Sequence, residues 1–286
     1  MVFRFRPDAD LVTDLPATRR IMPFIMPTRN QSLVFFDMEI DAAAIDERIA
    51  RYRDTGVKAT ALHVVAVCAT RIFAERPRLN RFVAGGRIWQ RRGIWLSFSG
   101  KKRKDDDAPV VVVKRRVDPA LSDEALVLAL DGGVKEVRTD KKTRTDQELD
   151  IFLALPTFVL GWLVGLVGFL DRVGLLPRFF IDGDPLYASM FIANIGSLGM
   201  DAPQHHLYEY GNIPLFCVIG AKRYAFDVDD SGAVVAKQVY PLRFTFDERI
   251  EDGLYCLGCL KRLKELLTTT TTPTTPATAT TTATTI

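Results

Sequence analysis

From Ile151 to Leu170 the chain reads IFLALPTFVLGWLVGLVGFL and carries no charged side chain. The run is about as long as a membrane span requires. Pro156, Gly161, Gly165 and Gly168 interrupt it. A proline argues against a straight span, and glycines let backbones approach closely. Three structures fit such a run: a helix packed on a globular body, a helix touching a membrane surface, and a true span. A span would split one continuous α/β pattern in two. The expectation is therefore a helix that packs against the body of the domain and walls an apolar channel. Membrane-surface contact through 151–170 is the alternative.

The remainder reads as an ordinary globular protein. Its 286 residues make one large domain or two small ones, and 48% of them are hydrophobic. A chain of that size buries a core without disulfides or metals. The formal net charge of +3 is too small and dispersed for a dedicated nucleic-acid binder. Cys68, Cys217, Cys256 and Cys259 read as free thiols of a cytoplasmic protein. The acidic N-terminus, MVFRFRPDADLVTD, has no apolar stretch and is not a secretory signal.

Element order follows from periodicity. Residues 1–28 read as an extended arm with a basic pair, Arg19 and Arg20. LVFFDMEID (Leu33–Asp41) alternates as a strand. AAAIDERIARYRDTG then repeats at helical spacing and ends at Gly56, and Lys58–Pro77 is a second helix, apolar on most sides. RIWQRRGIWLSFSG and VVVVKRRV are strands around the charged loop KKRKDDDAP, a solvated hairpin tip. Ser122 caps a helix over LSDEALVLALDGGVKEVR. MFIANIGSLG, PLFCVIGAKR and VYPLRFTFDER are strands, and Ile250–Leu267 is the last helix. The Thr-, Ala- and Pro-rich tail 268–286 cannot form a core and reads as disordered.

Few residues offer chemistry. His63 lies on an apolar helix and reads as a packed histidine. His205 and His206 lie in the loop DAPQHHLYEYGN, where one ring could position a substrate and the other move a proton near neutral pH. Their plainer reading is surface packing. Cys256 and Cys259 are three positions apart inside a helix, without the context of a redox or zinc motif, and read as packing residues. Asp247, Glu248, Glu251 and Asp252 crowd a strand-to-helix junction, FDERIEDG (Phe246–Gly253). Acid enrichment at a helix start explains such a cluster. Arg249 among them predicts a local ion pair.

Four segments in order resemble one family. FDERIEDGLYCLGCLKRLKELL is similar to the signature S-[FY]-D-H-R-x-x-[DN]-G followed by a helix, which belongs to the catalytic domain of dihydrolipoyl acyltransferases. RPRLNRFVAGGRIW resembles its P-x-x-N stretch, FIANIGSLGMD its T-I-S-N-L-G-x-x-G, and PLFCVIGAKR its strand ending in I-L-G or A-I-G. The likeness runs from about Arg19 to Leu267 and departs twice. The family's catalytic His falls on Glu248, and its oxyanion-stabilising Ser falls on Ala193. Asp252 keeps the Asp or Asn four residues after the His.

The resemblance implies a two-layer α/β sandwich with a mixed sheet and helices on one side, shared with chloramphenicol acetyltransferases. Residues 1–267 would be the catalytic domain, too short for added lipoyl or subunit-binding domains. It also implies a homotrimer with sites between subunits, acyl-CoA as donor, a small-molecule thiol or hydroxyl acceptor, and no metal. The expected catalytic set is His205 or His206 as base, Glu248 orienting it or replacing it, and Asp252. A carboxylate serves as base where burial raises its pKa. Ser189 or Ser197 would compensate for Ala193. The alternative is a non-catalytic trimeric scaffold or binding protein of the same fold.

Overall fold

The computed structural model describes residues 5–101, 110–137 and 155–269. The tip of the charged loop and the tail beyond Thr269 lie outside them. Local chemistry sets several boundaries. Strand β2 (Leu33–Asp41) ends in Asp41, whose carboxylate accepts from Ala43 N at 2.8 Å and so starts α2 (Ala42–Asp54). Thr60 and His63 form a capping box at the start of α3 (Ala61–Glu75), which gives buried His63 a local structural role. The Ser122 hydroxyl accepts from Ala125 N at 3.2 Å and caps α4 (Asp123–Val137), as expected.

Strands β1 (Ala9–Leu11), β3 (Arg81–Ala84) and β4 (Arg87–Arg91) make a small sheet in the order β1-β4-β3. The large sheet adds β5 (Ile94–Lys101), β6 (Val110–Val117), β7 (Met190–Asn194), β8 (Leu215–Ile219), β9 (Arg223–Val228) and β10 (Val234–Asp247) to β2. Its order is β2-β10-β8-β7-β5-β6, with β9 paired to β10. β7 runs parallel to β5 and β8, and the other pairs are antiparallel, so the sheet is mixed. Because side chains alternate, Phe98, Ile192, Cys217 and Phe244 meet Val64, Val67, Leu126 and Leu263 of the helical layer. That layer is α2, α3, α4 and the last helix, named α7 here (Gly253–Thr268). Phe191, Phe216 and Val218 point the other way, under Ala202, Leu207 and Ile213. The expected two-layer sandwich with a mixed sheet is the architecture observed.

Three expectations are corrected. Residues 5–28 are not an extended arm: β1 joins the small sheet and Ala17–Ile25 forms helix α1. Strand β10 begins at Val234, five residues before the expected start, and folds back on β9. The Asp229 carboxylate accepts from Ser231 N and Ala233 N and closes that turn. The third correction concerns the uncharged run. Helix α5 (Thr157–Val173) buries only Asp171. Phe158 is 79% exposed, Trp162 65% and Phe169 59%. Only Val167 and Leu170 reach the cluster of Leu176, Ile181 and Tyr187. The helix walls no channel because both sheet faces already have covers: four helices on one, the segment before β8 on the other. No helix among the described residues is long and apolar enough to cross a membrane.

Buried charges tie this helix down at its C-terminal end. Arg6 donates to the Asp171 carbonyl at 2.8 Å and to its carboxylate at 2.7 Å, and pairs with Asp8 at 3.0 Å. After Gly174, in a left-handed conformation, comes the short helix α6 (Arg178–Gly183). Lys114 holds it to the sheet face opposite the main helices by donating to the Ile181 and Asp184 carbonyls. Burial pushes the Lys114 ammonium down to about 7. So α5 and α6 lie apart from the main helical layer.

The turn from β10 into α7 is built on a second buried pair. Arg249 donates Nε and Nη2 to the two carboxylate oxygens of Asp247, at 2.8 and 2.7 Å. The Ser32 hydroxyl and Arg249 N donate to Asp247 Oδ1, and Arg249 Nη1 donates to the Met26 carbonyl. Both side chains are almost fully buried. Removing one partner of such a pair strands a charge without water and costs ~3–5 kcal/mol. Arg249→Met should lower the urea unfolding free energy by about that much. Asp247→Asn with Arg249→Met should lose less than the sum of the single changes.

Candidate functional site

The expected site residues gather near one end of β10. The Glu248 amide donates to the Ser32 carbonyl at 2.9 Å, and Arg19 of α1 donates to the Glu248 carbonyl at 2.7 Å. Glu248 is half-buried and its carboxylate makes no hydrogen bond within the described chain. Asp252 is exposed and caps α7, accepting from Tyr255 N at 2.9 Å; that backbone bond holds its carboxyl below the ordinary range. The local ion pair foreseen for Arg249 is with Asp247.

His205 and His206 lie on the sheet face away from the helices. The His205 ring stacks on Phe216 at 4.0 Å and 9°, and on His206 at 5.0 Å and 11°. Its Nδ1–H donates to the His206 carbonyl at 2.6 Å; His206 repeats the pattern to the Leu207 carbonyl at 3.0 Å. A carbonyl only accepts, so each neutral ring carries its proton on Nδ1. The Nε2 lone pair is left to take up a proton. Burial lowers the His205 pKa.

The loop and Glu248 are linked but do not touch. Thr245 donates its hydroxyl to the His205 carbonyl at 2.5 Å. Thr245 lies three residues before Glu248, or ~10 Å at the rise of a strand. Arg29 donates to the Tyr208 and Glu209 carbonyls, and the Glu209 carboxylate accepts from the Arg29 and Asn30 amides. The segment Arg29–Ser32 therefore bridges the histidine loop to the Asp247–Glu248 turn. Arg29, Ser32 and Glu209 escaped the sequence reading because each acts through backbone partners far away in the chain. Within one chain neither imidazole bonds Glu248.

The position expected for an oxyanion donor carries no hydroxyl. Ala193 sits on the same sheet face as Phe191, between Ser99 of β5 and Val218 of β8. Ser189 cannot substitute, because it is fully buried and accepts from Trp95 N. Ser197 turns its hydroxyl into its own 3₁₀ turn, donating to the Asn194 carbonyl. Half-buried Ser99, directly across from Ala193, was not singled out by sequence. Cys256 and Cys259 pack in the helical layer as expected, and burial pushes their thiols up to about 12 and about 11. No metal-binding cluster occurs among the described residues.

No protein-family model matches the sequence, and no curated protein does. Solved structures do match. A probable dihydrolipoamide acetyltransferase from Listeria monocytogenes is 13% identical, with 93% of this chain and 98% of that chain covered and a TM-score of 0.59. The dihydrolipoamide acetyltransferase of Azotobacter vinelandii is 17% identical, with 91% and 92% covered and a TM-score of 0.53. That enzyme was studied for the roles of a serine, a histidine and an asparagine in its mechanism. A chloramphenicol acetyltransferase is 11% identical, with 91% and 99% covered and a TM-score of 0.51. The chain thus has the fold of the chloramphenicol acetyltransferase-like acyltransferases and the catalytic cores of 2-oxoacid dehydrogenase complexes.

The half-buried state of His205 has a pH signature. Its folded pKa lies below the unfolded value of ~6.5, so the unfolded chain takes up the proton first as pH falls. The contribution to stability is complete above that value and is lost as pH drops through the folded pKa. His205→Phe keeps a stacked ring without the titration. Thermal unfolding followed from pH 7 downward should fall more steeply for the wild type than for this variant. Parallel curves would contradict the assignment.

Proposed function

We propose that this protein is a CoA-dependent acyltransferase with a rebuilt active site, in which His205 is the general base. The observation that carries this reading is the lock on the His205 tautomer: Nδ1–H bonded to a carbonyl, Nε2 bare, the ring half-buried and stacked on Phe216. Nε2 takes the proton from a small-molecule thiol or hydroxyl acceptor. The acceptor's S or O then attacks the thioester carbon of acyl-CoA. The tetrahedral intermediate collapses by breaking the bond from carbon to the CoA sulfur, and the imidazolium returns the proton to that sulfur. His206 stacks on His205 and positions it. Ser99, beside Ala193, is the proposed donor to the oxyanion. Glu248 supplies the negative charge that stabilises the imidazolium, a role carboxylates play in triads. Asp252 fixes the start of α7 and thereby the Glu248 turn.

In this reading residues 1–267 form the catalytic unit and work as a cytoplasmic homotrimer. Since Glu248 and His205 do not meet within one chain, the partner across a subunit boundary brings them together. Contact of residues 151–170 with a membrane surface is independent of this chemistry and is supported by the exposure of α5. A non-catalytic scaffold is the second reading, favoured by the missing hydroxyl at Ala193.

The test is CoA release from acetyl-CoA and longer acyl-CoAs with a thiol acceptor. His205→Ala should lower the rate ~10²–10⁴-fold, the usual contribution of a general base. Ser99→Ala should cost ~10²–10³-fold, the usual cost of losing an oxyanion donor. His206→Ala and Glu248→Gln should each cost less than His205→Ala. Equal background rates in the wild type and all four variants would establish the scaffold reading.

A further inference from the structure

Helix α5 is apolar on every side, and most of that surface is bare. At ~100° per residue, the exposed positions from Val164 through Gly161, Gly165, Phe158 and Trp162 to Leu166 sweep about 200° of arc. All six are exposed. The remaining side is only half-buried, at Val159, Leu160 and Leu163. Beyond Gly174, Leu175 and Phe179 extend the patch, exposed at 54% and 79%. A second copy of the chain presents one surface and covers one side of a helix. An arc wider than half the circumference suits a fluid apolar phase that closes round it.

The charges at the border point to the same occupant. Between Thr157 and Leu170 there are none. The acids nearby are spoken for: Asp171 is held by Arg6, Asp184 accepts from Tyr210 and Leu186, and Asp182 pairs with Arg178 at 3.2 Å. Arg172 is exposed and makes no ion pair among the described residues. The rim therefore offers a cation to anionic headgroups. At ~1.5 Å per residue the 17 residues of α5 extend about 26 Å, short of a ~30 Å hydrocarbon core. That length suits a helix lying along a bilayer surface, and Arg6 anchors its C-terminal end to the body.

We propose that α5, with Leu175 and Phe179, docks the protein on an anionic lipid surface, with Phe158, Trp162 and Phe169 inserted and Arg172 among the phosphates. This goes beyond the transfer reaction and holds whether or not that reaction occurs.

The test uses the full chain and vesicles of phosphatidylcholine, with and without phosphatidylglycerol. The wild type should sediment with the mixed vesicles, and brominated lipid should quench its fluorescence. Trp162→Phe should abolish most of the quenching while keeping the binding, since Trp89 is buried and Trp95 is half-buried with Lys114 over its ring. Phe158→Ser, Trp162→Ser and Phe169→Ser together should cut binding at least about tenfold, through lost apolar burial. Thermal unfolding should not change, because all three side chains already face solvent. Arg172→Glu should weaken binding to the anionic vesicles several-fold. Equal binding by the wild type and the triple variant would overturn the proposal. So would a wild type that ignores both vesicles and forms larger assemblies that the triple variant breaks.

Discussion

Two charges without water sit where the last strand turns into the last helix, and the candidate site hangs from them. Asp247 and Arg249 meet through two parallel hydrogen bonds, the geometry in which a buried ion pair recovers its desolvation cost. The pair also binds the Ser32 hydroxyl and the Met26 carbonyl, so it fixes the chain leading from α1 into β2. That chain carries Arg29, which holds the histidine loop through Tyr208 and Glu209. Glu248 lies between the two charged residues, and Arg19 and Ser32 bind its backbone. One ionic contact thus sets both the carboxylate and the distance at which the imidazoles stand from it.

Most of the fold was legible because burial on one side leaves a period. Leu33–Asp41 alternates, α2 and α3 repeat at helical spacing, and Ser122 marks a helix start with a side chain that accepts a backbone proton. The elements that escaped are those whose covering surface lies elsewhere. Helix α1 exposes Phe24 and Ile25, and the β9–β10 ribbon exposes Tyr224, Phe226 and Val234. Their patterns do not describe a face turned toward this chain's own core. The uncharged run was misread for the same reason. Its composition says that water is a poor neighbour for α5, and it does not say which neighbour replaces water.

The site was half legible. Motif spacing located Glu248, Asp252 and Ala193, and the scarcity of histidine singled out His205 and His206. Spacing does not reveal how an imidazole is held. The bonds from Nδ1 to the next carbonyl and the stack on Phe216 depend on backbone angles and on a strand ten residues away. Ser99 escaped because it becomes a neighbour of Ala193 only when β5 and β7 pair in parallel. The proposed chemistry therefore centres on the sheet face beside the acidic turn.

The central claim is that catalysis joins His205 of one subunit to Glu248 of another. Mixing two impaired variants tests it most directly. His205→Ala and Glu248→Gln proteins, unfolded together and refolded as mixed trimers, should release CoA faster than either parent, because some interfaces then hold both native residues. Mixed trimers no faster than the better parent would contradict the account.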